Sequence, residues 1–152
     1  MVRQIEKKEW KEGICRNLLK SLPDWFGNPE SIEEYAQSCR EVPVWADLDG
    51  ERVRGFITFK ATSPYAGEVY VMGVRQDCHR QGVGRALFDA LYGYAKGRGF
   101  HFLTVKTVAM GRYEDYDGTN RFYQALGFME LECFPLLWDE ANPCQVYVMD
   151  VN

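Results

Sequence analysis

An α+β fold, with a mixed, mostly antiparallel sheet of six or seven strands and about four helices, is predicted by three features of the sequence. Hairpin-like strand pairs stand towards both ends, helical periodicity is confined to four segments, and one strand–helix–strand unit in the middle requires a parallel crossover. The chain has 152 residues, 46% of them hydrophobic, with nine Phe, nine Tyr and four Trp. That is enough to fill the core of one domain and leave rings for a pocket, so a single domain over residues 1–152 is expected.

Taken in order, Lys7 to Ser21 carries Ile14, Leu18 and Leu19 at helical spacing, with Leu22 following. Asn28 and Pro29 are a cap and first-turn pair, and Ile32, Tyr35, Ala36 and Cys39 make one apolar stripe behind them. Val42–Leu48 and Val53–Phe59 flank Asp49-Gly50, a hairpin signal. Val69–Val74 reads as a core strand after the turn at Ser63-Pro64. A helix from Gly82 to Lys96 turns Val83, Leu87, Leu91 and Tyr94 inward and ends at Gly97 and Gly99. Phe100–Val105 is the strand that completes the crossover. A short helix over Thr119–Leu126 ends at Gly127-Phe128, and Phe128–Cys133 and Gln145–Val151 close the sheet. Glu114–Asp117 and Leu136–Pro143 read as loops.

Composition excludes several classes. A formal net charge of −4 with no run of like charges argues against nucleic acid and membrane surfaces as partners. The charged start MVRQIEKKEW lacks a signal-peptide core, and no apolar stretch nears the ~18 residues of a membrane span, so a cytoplasmic protein is expected. Five scattered cysteines without CxxC spacing suggest neither disulfides nor a metal site.

The most informative stretch runs from Val69 to Phe88: strand, polar loop, glycines, helix. Gly82 and Gly84 let backbone approach a ligand where a new helix presents unpaired N–H groups, and Arg80 and Arg85 add positive charge. Such a place suits a diphosphate. A dinucleotide fingerprint would need a third glycine where Leu87 stands, and is rejected.

His79-Arg-Gln-Gly-Val-Gly84, with the strand before it, resembles the acetyl-coenzyme A loop of the GNAT N-acetyltransferase superfamily, although His79 stands where Gln or Arg is usual. Thr119-Asn-Arg-Phe-Tyr-Gln-Ala-Leu-Gly-Phe128 is similar to the family's later motif. The resemblance implies a GNAT-like fold with its central parallel pair splayed, acetyl-CoA as donor, and coenzyme A as product. It implies cofactor contacts at Met72, Gly73 and Val74 and at His79, Arg80, Gln81, Gly82, Val83, Gly84 and Arg85, with backbone amides doing most of the gripping. Tyr123 matches the family's tyrosine that protonates the departing thiolate. The family's pantetheine-binding Asn would fall at Tyr116, so Asn120 is the substitute candidate.

Making an amide from a thioester requires a neutral amine, a stabilised oxyanion and a proton for the leaving sulfur. Glu68 is the candidate base, because strand alternation gives it the side-chain parity of Tyr70 and Met72. His79 and His101 lack a carboxylate partner in sequence and are read as structural. Trp25 and Phe26, in the linker between the first helices, and Trp138 are candidates for the acceptor wall. The expected activity is acetylation of a primary amine, on a small molecule rather than a protein, by a monomer or homodimer. The alternatives are a peptide or protein acceptor and a non-catalytic acyl-CoA sensor.

Overall fold

The computed structural model describes residues 1–152. The chain runs β1 (Val2–Ile5), α1 (Lys8–Lys20), α2 (Pro29–Cys39), β2 (Val44–Asp49), β3 (Arg52–Ala61), β4 (Ala66–Val74), α3 (Val83–Gly97), β5 (Phe102–Val108), α4 (Glu114–Leu126), β6 (Met129–Asp139) and β7 (Asn142–Asp150). All seven strands form one sheet in the order β1–β2–β3–β4–β5–β7–β6. Only β4 and β5 are parallel, joined through α3; every other pairing is antiparallel. The mixed, mostly antiparallel sheet and the four helices are as the sequence predicts. No helix is long and apolar enough to cross a membrane.

Helices cover both faces. Ile14, Leu18, Leu19, Ile32 and Ala36 of α1 and α2 pack with Val44, Phe56 and Val71, while Val83, Leu87 and Leu91 of α3 pack with Ile57, Val69, Leu103 and Tyr123 on the other side. The Asn28 side chain caps α2 by accepting from the N–H of Glu30 at 2.9 Å and of Ser31 at 3.4 Å. Gly127, at φ 111°, ends α4 in the left-handed region, and Phe128 behind it is buried.

Three boundaries differ from the sequence reading. β1 is a four-residue edge strand, too short for its alternation to register. Glu114–Asp117 is the first turn of α4 and no loop: Glu114, Asp115 and Asp117 sit where the helix dipole favours negative charge, and Asp117 also accepts the N–H of Gly111 at 2.7 Å. Leu136–Asp139 belongs to β6, which passes through Pro135 because an edge strand can spare that N–H.

The central irregularity is a bulge between β3 and β4. Ile57 pairs with Met72 and Phe59 with Val69, so Tyr70 and Val71 together oppose Thr58. Thr58 is fully buried, and its hydroxyl replaces the missing backbone partner twice: it donates to Val71 O and accepts from Val71 N–H, both at 2.9 Å. The extra residue reverses the side-chain alternation, so Val69 faces α3 while Val71 faces α1 and α2. Replacing Thr58 with Val keeps the shape but strands both polar groups of Val71. We expect Thr58→Val to cost about 2–4 kcal/mol in urea unfolding, from one to two orphaned buried groups; a loss under about 0.5 kcal/mol would mean the bulge does not depend on the hydroxyl.

Candidate active site

β4 and β5 stay paired from Ala66/Phe102 only as far as Val69/Val105. Both strands continue, β4 to Val74 and β5 to Val108, so they diverge immediately after the bulge. The gap is the floor of a cleft of about 1030 Å³ that runs from the start of α3, past α4, to the α1–α2 linker. Val71 donates to Thr58 and Arg75 donates to Arg54 O at 2.8 Å, so the intervening alternation turns the N–H groups of Met72 and Val74 away from β3, into the gap. Gly73 faces α1, where a Cβ would stand 2.9 Å from Leu18 Cδ2.

At one end of the cleft lies the turn into α3. Arg80 and Gly82 both have left-handed φ, 66° and 79°. The first helical hydrogen bond is Ala86 N–H to Gly82 O, and no N–H from Arg80 to Arg85 is bonded within the protein. These amides, with the positive end of the helix dipole, make a concave anion-binding surface. Gly84 lies against the Phe122 ring, where an added Cβ would stand 2.9 Å from Cζ. His79 ties the turn to β4, its Nε2 lying 2.9 Å from Val74 O, and stands edge-on to Trp25 with centroids 5.8 Å apart. Arg85 donates to Ala125 O at 3.2 Å, linking α3 to the end of α4. The unbonded amides, the bare Gly84 and the open β-strand fit a diphosphate followed by a narrow arm.

Of the residues singled out in the sequence, Trp25, Phe26, Glu68, Met72, Gly73, Val74, His79, Arg80, Gly82, Val83, Gly84, Arg85, Tyr123 and Trp138 line this one cleft. Gln81 does so only through its place in the turn; its side chain donates to Asp77 O at 3.2 Å. Asn120 is a correction. It is fully buried away from the cleft, donates to Val108 O at 2.8 Å and Tyr116 O at 2.7 Å, and accepts from the Tyr147 hydroxyl at 2.6 Å. Both its donors are spent on the fold. Tyr116 does not replace it either: its hydroxyl donates to Trp25 O at 2.6 Å, while the Trp25 indole N–H reaches Asp115 O at 3.3 Å and Thr119 Oγ1 at 3.2 Å. The α1–α2 linker is thus strapped to the first turns of α4.

The expected parity of Glu68 is also corrected. Glu68 and Tyr70 face α1 and α2, but the bulge sends Met72 to the α3 side. Glu68 is buried and its carboxylate accepts a salt bridge from Lys106 Nζ at 3.1 Å. Tyr123 approaches from the opposite face, packed against Phe122, Phe128 and Tyr147. Burial pushes its phenol well above the ordinary tyrosine range. Sequence reasoning missed Lys106, Tyr35 and Tyr70. Lys106 is the one charged residue on a strand of apolar residues and threonines, which was its only signal.

The chain belongs to the GNAT acetyltransferase family, whose model, "Acetyltransferase (GNAT) family", matches residues 12–128. It is 25% identical over 117 residues to the uncharacterized N-acetyltransferase YsnE of Bacillus subtilis (strain 168), an overlap of 75% of this chain and 76% of that protein. A GNAT-family protein from Desulfovibrio desulfuricans superposes with a TM-score of 0.84 at 17% identity, covering 100% of this chain and 99% of the other. An aminoglycoside 6′-N-acetyltransferase in complex with coenzyme A gives a TM-score of 0.80 at 14% identity, over 100% and 97% of the two chains.

Asn120→Leu should separate scaffold from ligand contact. We expect it to lower stability by about 2–4 kcal/mol, because Tyr147 and two carbonyls lose buried partners. Calorimetric cofactor affinity should stay within about threefold at a temperature where the variant is folded; a tenfold loss would restore Asn120 as a cofactor contact.

Proposed function

We propose that the protein transfers the acetyl group of acetyl-CoA to the primary amine of a small molecule, by direct attack while donor and acceptor are both bound. The observation that carries this reading is that Glu68 and Tyr123 reach the same gap from opposite faces of the sheet. A thioester held between the strands would meet its amine on the Glu68 side and release sulfur on the Tyr123 side.

Acetyl-CoA supplies an acetyl group already activated as a thioester. The amides from Arg80 to Arg85 hold the diphosphate, each charge-assisted bond contributing roughly 1.5–3 kcal/mol. The N–H groups of Met72 and Val74 bind the arm and stabilise negative charge on the carbonyl oxygen, an effect worth about 2.7–4 kcal/mol per donor in other enzymes. Glu68 takes one proton from the ammonium form of the acceptor and passes it to solvent, and the attacking nitrogen gives up a second proton to water as the amide forms. As the C–N bond forms and the C–S bond breaks, Tyr123 gives its proton to sulfur, and it regains one from solvent on product release. The raised phenol pKa keeps that proton in place at neutral pH.

The small-molecule reading is supported by the acceptor side of the gap, where Phe26, Tyr35, Tyr70 and Trp138 form an aromatic wall and the Trp25–Tyr116 strap closes the cleft along one side. A peptide acceptor would need an open groove there. All five cysteines are free thiols, which supports a reducing, cytoplasmic setting.

Gly84→Glu should abolish acetyl-CoA binding in calorimetry, since its side chain must displace the Phe122 ring packed beside the turn and brings negative charge next to the amides; wild-type affinity would refute the diphosphate site. Tyr123→Phe should lower kcat by roughly 10²-fold, within the range for general acids, with cofactor affinity changed less than about threefold. Unchanged turnover would remove its role. For Glu68→Gln the deficit in rate should be largest below neutral pH, where the acceptor is mostly ammonium, and a pH profile parallel to wild type would exclude Glu68 as the base.

A further inference from the structure

We propose that the acceptor is a free α-amino acid with a large apolar or aromatic side chain, its carboxylate bound by Lys106 and its amine delivered to Glu68. This rests on the acetyltransfer reading above and specifies its substrate.

Lys106 follows directly after Val105, the last β5 residue paired with β4, so it stands at the mouth of the gap on the same face as Glu68. The two side chains form an ion pair of 3.1 Å, yet they differ in depth: the Glu68 side chain is 11% exposed and that of Lys106 44%. The carboxylate therefore lies inside and the ammonium lies towards solvent. Lys60, the other lysine on this part of the sheet, is engaged with the ring of Tyr70, 4.9 Å from its centroid.

An acceptor carrying only an ammonium would have to displace Lys106 from Glu68 and then lie beside it as a like charge. A zwitterion has no such conflict. Its ammonium takes the place of Lys106 on Glu68, its own carboxylate receives Lys106, and one ion pair becomes two with no charge left unpaired. The order of depth is right as well, with the reacting nitrogen inside near the gap and the carboxylate outside. Drawing Lys106 onto the substrate also leaves the Glu68 carboxylate free to accept from the acceptor's ammonium. The remaining group of the amino acid meets rings: Phe26 and Tyr35 have centroids 6.2 Å apart, Tyr35 and Tyr70 5.4 Å, and Trp138 stands half-exposed at the rim. Rings of this kind suit a large apolar or aromatic side chain.

The test is thiol release from acetyl-CoA with L-phenylalanine, L-phenylalanine amide, phenethylamine and spermidine. We expect kcat/KM for the free acid to exceed that for the amide and for phenethylamine by at least about tenfold, the worth of one charge-assisted contact. Lys106→Met should raise KM for phenylalanine by about tenfold and erase the preference, and Lys106→Arg should restore it. Equal or better turnover of the amide or of phenethylamine, or a preference untouched in Lys106→Met, overturns the proposal. Transfer to spermidine with none to the amino acid overturns it while leaving the acetyltransfer reading intact. Saturable cofactor binding without transfer to any of the four amines counts against both.

Discussion

Everything functional in this chain depends on one hydroxyl that stands in for a backbone. Thr58 bonds both polar groups of Val71, and this lets β4 carry an extra residue without leaving a buried N–H or C=O unpaired. The added bend and twist pull β4 away from β5 just past Val69, in the middle of a sheet where strands would otherwise stay paired. Open strands inside a protein are costly unless something satisfies them, and here the exposed N–H groups of Met72 and Val74 are available to a ligand. The same insertion reverses side-chain parity, which puts Val71 and Gly73 against α1 and leaves Glu68 and Met72 on opposite faces.

That reversal organises the chemistry. An acid and a base on one face of a closed sheet would compete for the same space and exchange protons directly. Separated by the opened sheet, Glu68 and Tyr123 meet different environments. Glu68 has the Lys106 ammonium beside it at 3.1 Å, while Tyr123 is set among rings whose low polarity favours the neutral phenol. Tyr123 therefore holds the proton that its proposed task requires before substrates arrive.

Much of this was legible in the sequence, for physical reasons that differ by element. The turn into α3 announces itself because Gly82 takes a φ of 79°, which few other residues adopt cheaply, and because Gly84 packs against a ring. The end of α4 is equally plain, since Gly127 at φ 111° and a buried Phe128 form a local motif. The start of α4 was not, because Tyr113 supplies no side-chain cap and an acidic cluster also describes a loop. The bulge was invisible for a different reason. Thr58 is an ordinary strand residue, and only its cross-strand register with Tyr70 and Val71 reveals its role, so the parity of Met72 relative to Glu68 was misread. Lys106 escaped in the same way: its meaning lies in a partner 3.1 Å away on a neighbouring strand.

The fate of Asn120 and Tyr116 follows from how the cleft is walled. A side chain can serve a ligand only if the fold leaves it a free donor or acceptor, and here α4 spends both residues on its own support. Asn120 bonds β5, Tyr116 and Tyr147, and Tyr116 in turn holds the carbonyl of Trp25. The indole of Trp25 returns two contacts to α4 and abuts His79, whose ring is fixed to the last residue of β4. A continuous set of contacts therefore runs from the β5 carbonyl at Val108, through α4 and the α1–α2 linker, to the end of β4. It braces the two diverging strands against each other from outside the gap. Rigid walls of this sort hold backbone donors in place before a ligand arrives, which is the condition under which amides at Met72 and Val74 can stabilise developing charge without reorganising. Polar side chains on α4 that bound the cofactor directly would have to give up part of that brace. The division of labour is thus built into the hydrogen bonds: α4 stiffens the opening, and the main chain of β4 and of the α3 turn is left free to bind.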